Sequence, residues 1–438
     1  MTATSYNEEL LSPVTDVSQV DESRETWVWS EAWAWVALLP TLFITCRGSI
    51  EDDSSPYAFQ FTAMDADPLP HRIARLACSL IIAILLATRF RGVLAAATKS
   101  KLLLLLPGIA FVSALWSQSP RSTFAGALNL LLTTLFAVYL YKRYPGERIV
   151  SFLAFAAFVS LACCVLSVTV FPSVGIDPRQ QDAWRGIFGQ RNNCAVACSL
   201  FLAVGLHART RGLIDQLMRG STIVLSLVFI VMSGSKQGWI LAALTIALTY
   251  LLRFSSRIRS LDRLLFFMAI AVPFVLAVLF IQSNFTQVLA AMDKDPTMSQ
   301  RTIIWAQVLP SIAKHPMLGY GYSAFWSGLN GESMQTVLTT KWVENQAQDG
   351  YLDVLLQLGV AGLIPLCLVF LRGFRQSYAA IVRNRTGRGM QLAIVLLPLM
   401  VAENIGESSF LAPVGIPWLY ALVAFLILGR PDCEAEAL

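Results

Sequence analysis

Charge is what this chain most lacks. Asp, Glu, Lys and Arg make up 14% of its 438 residues, against about 25% in a soluble globular chain. Hydrophobic residues make up 55%, and the mean hydropathy is +0.59. Such a balance excludes disorder for all but the ends. It also excludes a soluble body on a single anchor, because apolar runs long enough to cross a bilayer recur from Trp27 to Leu428. The net charge of +5 is small and scattered, so nucleic acid is not an expected partner. Histidine is scarcer still, with only His71, His207 and His315. The eight cysteines lie mostly inside apolar runs and none has metal-ligand spacing. Neither a disulfide framework, a metal nor a cofactor is expected. The first 26 residues are polar and acidic and lack the basic start and apolar centre of a signal peptide; they read as a cytoplasmic tail.

What is present is a series of about 12 apolar stretches, each near the length of a membrane helix. They cover 30–46, 73–88, 102–116, 122–141, 149–171, 192–206, 221–235, 237–252, 264–282, 350–371, 390–404 and 416–430. The expected fold class is therefore an all-α, polytopic integral membrane protein: a tail over 1–29, a membrane domain over 30–430 and a second tail over 431–438. With the N-terminus inside, the even-numbered connections and the two tails hold 21 of the 33 basic residues, the bias expected of cytoplasmic segments. Two connections then fall outside and are long: 172–191, and the large loop 283–349 between spans nine and ten. Long ordered loops in compact proteins usually carry function.

Basic residues on the outer side run against the bias and so carry information. Arg185 and Arg191 lie in Trp184-Arg185-Gly186-Ile187-Phe188-Gly189-Gln190-Arg191-Asn192-Asn193, just ahead of a helix start. Glycines there let backbone approach a ligand, the helix start offers free N–H groups to an anion, and Arg grips phosphate with two parallel bonds. Lys236 follows the break Ser233-Gly234-Ser235. Arg301 opens a helix whose apolar residues Ile304, Trp305, Val308, Leu309 and Ile312 recur at helical spacing, with Ser299 as the expected N-cap. Pro316 ends that helix, and Gly319-Tyr320-Gly321-Tyr322 follows as a turn with the look of a sugar-stacking surface. Glu403 and Glu407 are acids within or at the edge of the membrane, which are functional candidates by default.

Four segments in order, RGIFGQRNN from Arg185, SGSKQGW from Ser233, RTIIWAQVLPSIAKHPMLGYGY from Arg301 and QDGYLDVLLQLGVAGL from Gln348, resemble the O-antigen ligase/polymerase superfamily of bacterial membrane glycosyltransferases. The resemblance covers roughly residues 100–425 and is nearest to exopolysaccharide polymerases of the succinoglycan and xanthan kind. It implies a GT-C-like membrane enzyme of the inner membrane whose site faces the periplasm. Such enzymes move glycan from an undecaprenyl-diphosphate-linked oligosaccharide donor to a saccharide acceptor, with inversion and without a metal. Arg185, Arg191 and Arg301 fall on the positions thought to hold the diphosphate, where cations stabilise the leaving group as charge develops. Membrane lipid, a chain-length copolymerase and a flippase are the partners it implies.

One departure stands out. The family's usual His-Asn before the tenth span is replaced by Gln348-Asp349, and Gln is no base at neutral pH. The candidate bases become Asp349, Glu344 and, a turn further on, Asp353; Gln348, Tyr320, Tyr322, Lys236 and Glu407 are expected to bind substrate. A ligase acting on lipid A core shares these features. A 12-span secondary transporter fits less well, since no repeat relates the two halves. If the reading of topology holds, reporter fusions after Gln300 and after Arg388 fall on opposite sides of the membrane. The same side for both would remove the outer-face site.

Overall fold

The computed structural model describes residues 69–99, 101–177, 182–188, 190–255, 301–327, 331–340, 346–383, 387–413 and 415–430. The helices are α1 (Leu69–Thr88), α2 (Phe90–Lys99), α3 (Lys101–Val112), α4 (Pro120–Arg143), α5 (Gly146–Thr169), α6 (Arg191–His207), α7 (Leu213–Met232), α8 (Lys236–Ser255), α9 (Arg301–Lys314), α10 (Ser333–Thr340), α11 (Gly350–Val382), α12 (Arg388–Glu403) and α13 (Ile416–Leu428). Expected spans 30–46 and 264–282, both tails, Ser299 and Glu344 lie outside the described residues, as does part of the 283–349 loop. The other expected spans fall on helices. α4, α5, α7, α8 and α11 are long and apolar enough to cross a membrane. The chain is a helical, multi-pass membrane protein.

Helix α2 occupies a connection expected to be a loop. Its Val93 and Ala97 are buried, four residues apart on one face, and α2 packs against α4. The one described strand pair, β1 (Ile176–Asp177) and β2 (Ala183–Trp184), is antiparallel and pairs Ile176 with Trp184. It makes the 172–191 loop a small hairpin that follows the helical turn Pro172–Gly175.

At the centre, α6 is enclosed by α5, α7, α8 and α12, and nearly every residue from Cys194 to Ala208 is buried. A helix apolar on all sides is a helix buried on all sides. α13 is buried in the same way and packs against α12 and α4.

The longest helix is broken. α11 has 33 residues, about 50 Å at 1.5 Å per residue, well beyond a hydrocarbon core of about 30 Å. Gly359 interrupts it with φ 61° and ψ −159°. The segment 360–382 alone can cross, and 350–358 becomes a separate half-helix. A break within a helix orphans carbonyls before it and N–H groups after it. Here the turn after α9 supplies both partners. Tyr320 N and Gly321 N donate to Leu356 O and Gln357 O at 2.8 and 3.0 Å. Val360 N and Ala361 N donate to Pro316 O and Met317 O at 2.9 and 3.0 Å.

A side chain at 359 would meet two obstacles: the left-handed φ, and a Cβ 2.4 Å from Met317 C. Gly359→Ala is expected to destabilise the detergent-solubilised protein by more than about 1 kcal/mol, read as a lower thermal midpoint. Gly220, inside α7 with nothing within 4 Å of its Cβ position, is the control. Gly220→Ala should stabilise by about 0.5–1 kcal/mol.

Candidate active site

The motifs read from the sequence meet where α6 and α8 begin, α12 stops and the half-helix of α11 starts. Ser235 Oγ donates to Asn192 Oδ1 at 2.9 Å, joining the α8 start to the α6 start. Gln237 Nε2 donates to Glu403 O at 2.8 Å, joining α8 to the end of α12. Gly350 N donates to Asn404 O at 2.8 Å, joining α11 to the same place.

The turn after α12 is shaped by one buried side chain. Asn404 Oδ1 accepts from Ser409 N and Phe410 N, both at 2.9 Å. Its Nδ2 donates to Met400 O at 2.8 Å and to Ser409 Oγ at 3.0 Å. A fully buried amide is tolerable because its hydrogen-bonding capacity is used. The turn it holds presents Gly406, Glu407 and Ser408.

Arg301, the first residue of α9, lands on this turn. Its Nη2 donates to Gly406 O at 2.5 Å and stands 3.8 Å from Glu407 Oε1. Glu407 is 3% exposed and also accepts from Gln346 Nε2 at 3.0 Å. The expectation that Glu407 contacts sugar is thereby corrected: it is buried as the counter-charge that aims Arg301. Room for the guanidinium depends on Gly406. A Cβ there would lie 2.7 Å from Gln237 Oε1 and 3.1 Å from Arg301 Nη1.

Asp349 is the N-cap of α11, with Oδ1 accepting from Tyr351 N at 2.9 Å and Leu352 N at 3.0 Å. Its own N–H donates to Ser408 Oγ at 3.1 Å, on the turn that Arg301 holds. Burial lifts its carboxyl above the ordinary carboxylate range; the N–H bonds from Leu352 and Tyr351 and the charge of Arg301 work against the lift. Gln348, just before it, has φ 56°, an uncommon conformation for a non-glycine residue and one often kept at functional sites. Asp353 is fixed at both oxygens: Trp326 Nε1 donates to Oδ1 at 2.7 Å and Ala347 N to Oδ2 at 2.8 Å. Buried and bonded at both oxygens, Asp353 pins the segment 346–349.

The remaining expected residues separate. Arg191 opens α6 half-buried, its Nη1 3.9 Å from where a Cβ on Gly234 would stand. Lys236 opens α8 and is exposed. Arg185 spends Nε on Val174 O at 2.9 Å and Nη2 on Ser173 O at 3.1 Å, bracing the hairpin. Tyr320 and Tyr322 are 6% and 1% exposed. Their hydroxyls donate to Ser311 O at 2.9 Å and to Leu411 O. The expected sugar-stacking surface is therefore corrected to a packed core, where Tyr320 meets Phe325 edge to face at 5.2 Å. His315 is exposed and packs against Tyr320 at 4.7 Å.

Sequence reasoning missed Gln237, Gln346, Asn404 and Ser408. Gln237 lay inside a quoted motif, and Asn404 to Ser409 inside a stretch noted only for its acids; their roles come from backbone partners far along the chain. Among the described residues no group of three His, Cys, Asp or Glu is placed to hold a metal.

The two roles open to Asp349, cap and charge, separate by substitution. Asn caps about as well as Asp, whereas Ala costs about 1 kcal/mol. Asp349→Ala should lower the thermal midpoint and Asp349→Asn should not. A raised folded pKa means folding favours the protonated acid. Its contribution is complete below the unfolded value of about 3.9 and is lost as pH rises through the folded one. Asp349→Asn should remove that part of the stability–pH curve; an unchanged curve would place the carboxyl in water.

Two comparisons with known proteins bear on this arrangement. A family described as O-Antigen ligase matches residues 221–367, from α7 through the Arg301 helix to the middle of α11. The ComP-specific O-oligosaccharyltransferase of Acinetobacter baylyi is 26% identical over 197 residues, covering 42% of this chain. The match takes in 34% of that relative's length, so the chain spans about a third of it. The resemblance to the O-antigen ligase/polymerase superfamily, read from four motifs of which three reach one turn, is borne out by both.

Proposed function

We propose that this protein is a membrane glycosyltransferase that joins undecaprenyl-diphosphate-linked oligosaccharide repeat units into an exopolysaccharide. The observation that carries the proposal is the meeting of Arg301 and Asp349 across the Gly406–Ser408 turn. In the proposed step an acceptor hydroxyl attacks the anomeric carbon of the donor sugar. The bond from that carbon to the diphosphate breaks, with inversion. Asp349 takes the hydroxyl proton, and its raised basicity suits it to do so at neutral pH. The departing diphosphate collects charge opposite Arg191 and Arg301, the latter held in place on the Gly406 turn so that it needs no reorganisation. Arg185 supports the wall through its hairpin, Lys236 lies at the mouth and Gln348 hydrogen-bonds substrate. The site faces the periplasm, the side that the 283–349 loop takes under the positive-inside rule, in a bacterial inner membrane of about 12 spans. A chain-length copolymerase and a flippase of the same pathway are its proposed partners.

A second reading has an observation in its favour. The relative's name describes transfer of oligosaccharide to a particular acceptor, so the same step here could deliver glycan to a lipid A core or a protein. Deleting the gene separates the two. Loss of a polymerase leaves single repeat units on the lipid carrier, whereas loss of a ligase leaves long chains there.

Substitutions test the residues. Arg301→Lys should cut product sharply in a protein that still inserts, because a point charge cannot reproduce a two-pronged grip. Wild-type yield in Arg301→Ala would reduce Arg301 to a structural brace. Asp349→Asn should lose about 10²–10⁴-fold in rate, and Gln348→His should restore part of it; His is among the residues that accept a positive φ. Full activity in Asp349→Asn would move suspicion to Glu344.

A further inference from the structure

At the other end of α6, about 24 Å from Arg191 by helical rise, three arginines from three helices close on one helix terminus. Arg219 Nε of α7 donates to Gly205 O at 3.1 Å. Arg253 Nη2 of α8 donates to Leu206 O at 2.7 Å. Arg388 Nη1 of α12 donates to Ala208 O at 2.8 Å. Capping explains one N–H of Arg219 and one of Arg388, but not their charge. A helix C-terminus is worth roughly half a negative charge, and three guanidinium groups bring three positive ones.

Between them lies a cavity of about 380 Å³ lined by Leu206, His207, Arg219, Arg253, Arg388 and Gln391. Among the described residues, none that lines it is acidic. Two nearby carboxylates at this end are otherwise engaged: Glu147 pairs with Arg209 at 2.9 Å and Asp215 accepts from Arg211 N at 3.0 Å. The second observation is His207, which is 1% exposed. Its Nδ1 meets Ala203 O at 2.8 Å, and a carbonyl can only accept, so Nδ1 carries the proton. Nε2 is then a buried lone pair without a hydrogen-bond partner among the described residues, a standing cost unless a hydroxyl donates to it.

We propose that this cavity is an anion site for a phosphate group that also carries a hydroxyl. The arginines take the anionic oxygens and His207 Nε2 accepts from the hydroxyl. Two sources share that chemistry: the headgroup of an anionic phospholipid such as phosphatidylglycerol, and free hydrogen phosphate. Leu213, Ile214 and Leu217, early in the helix that carries Arg219, are 71%, 74% and 62% exposed, an apolar surface suited to lipid chains beside the cavity.

Native mass spectrometry of the full chain in detergent, with phosphatidylglycerol and phosphatidylcholine of equal acyl length in competition, tests the lipid source. The expected result is preferential retention of phosphatidylglycerol. It should fall about fivefold for each guanidinium removed in Arg219→Gln and Arg388→Gln, and stay unchanged in Arg209→Gln. Inorganic phosphate against chloride at equal ionic strength tests the free ion: a raised thermal midpoint without lipid preference assigns the site to free phosphate. Should the arginine variants fail to fold, His207→Phe, which keeps the ring volume and removes the acceptor, must weaken whichever ligand is retained by the wild type. Equal retention of the two lipids with no shift in phosphate overturns the proposal, as does a preference that none of the variants alters.

Discussion

The four backbone hydrogen bonds across the gap at Gly359 are the constraint on which the rest of this end of the molecule depends. In a medium without water, an unpaired carbonyl or N–H costs several kcal/mol, so α11 can be cut only where another segment replaces its lost bonds. The turn 316–321 does this. Because the turn is docked, Tyr320 packs on Phe325, Trp326 reaches Asp353, and Asp353 holds Ala347. The half-helix that results ends at Asp349, with its N–H on Ser408 and its carboxyl near Arg301. A break in a helix is thus converted, contact by contact, into the placement of one acid.

Electrostatically the same region is built on incomplete neutralisation. Arg301 has one buried acid near it at 3.8 Å and a carbonyl at 2.5 Å. Glu407 divides itself between Arg301 and Gln346. A tight bidentate pair would have cancelled the cation; the longer separation leaves its field available to a further anion while still fixing its direction. Asp349 feels that field, and burial opposes it. An acid and a cation tuned against each other in this way are what a transfer step with a charged leaving group requires.

Much of this was legible in the residues, and the limits are physical ones. Apolar runs and basic bias read well because every residue contributes to them: α5 and α8 lie within a few residues of their expected bounds. Arg301 at a helix start, and Pro316 just past its end, were likewise local signals. Long-range partnership was not legible. Nothing in Gly-Tyr-Gly-Tyr distinguishes an open aromatic turn from one buried against Leu356 and Leu411, since only the partners decide it. Glu407 read as an isolated membrane acid because its cation stands over a hundred residues earlier. The helical connection α2 escaped because its short length and its basic residues marked it as a cytoplasmic connection. Asp349 was found through its motif, yet its capping role follows from a helix start that the sequence placed correctly and did not connect to it.

The docked turn also sets an order of assembly. Residues 316–321 leave the ribosome before residues 356–361, about 40 positions downstream, that complete their hydrogen bonds. At about 5–20 residues per second that interval is some seconds. During it residues 316–321 are without their template, and α11 then arrives with a gap that they fill. The last step in building this end of the protein is therefore a docking of backbone onto backbone after insertion. A loop of altered length between α9 and α11 would disturb the biogenesis of the span before it disturbed any chemistry.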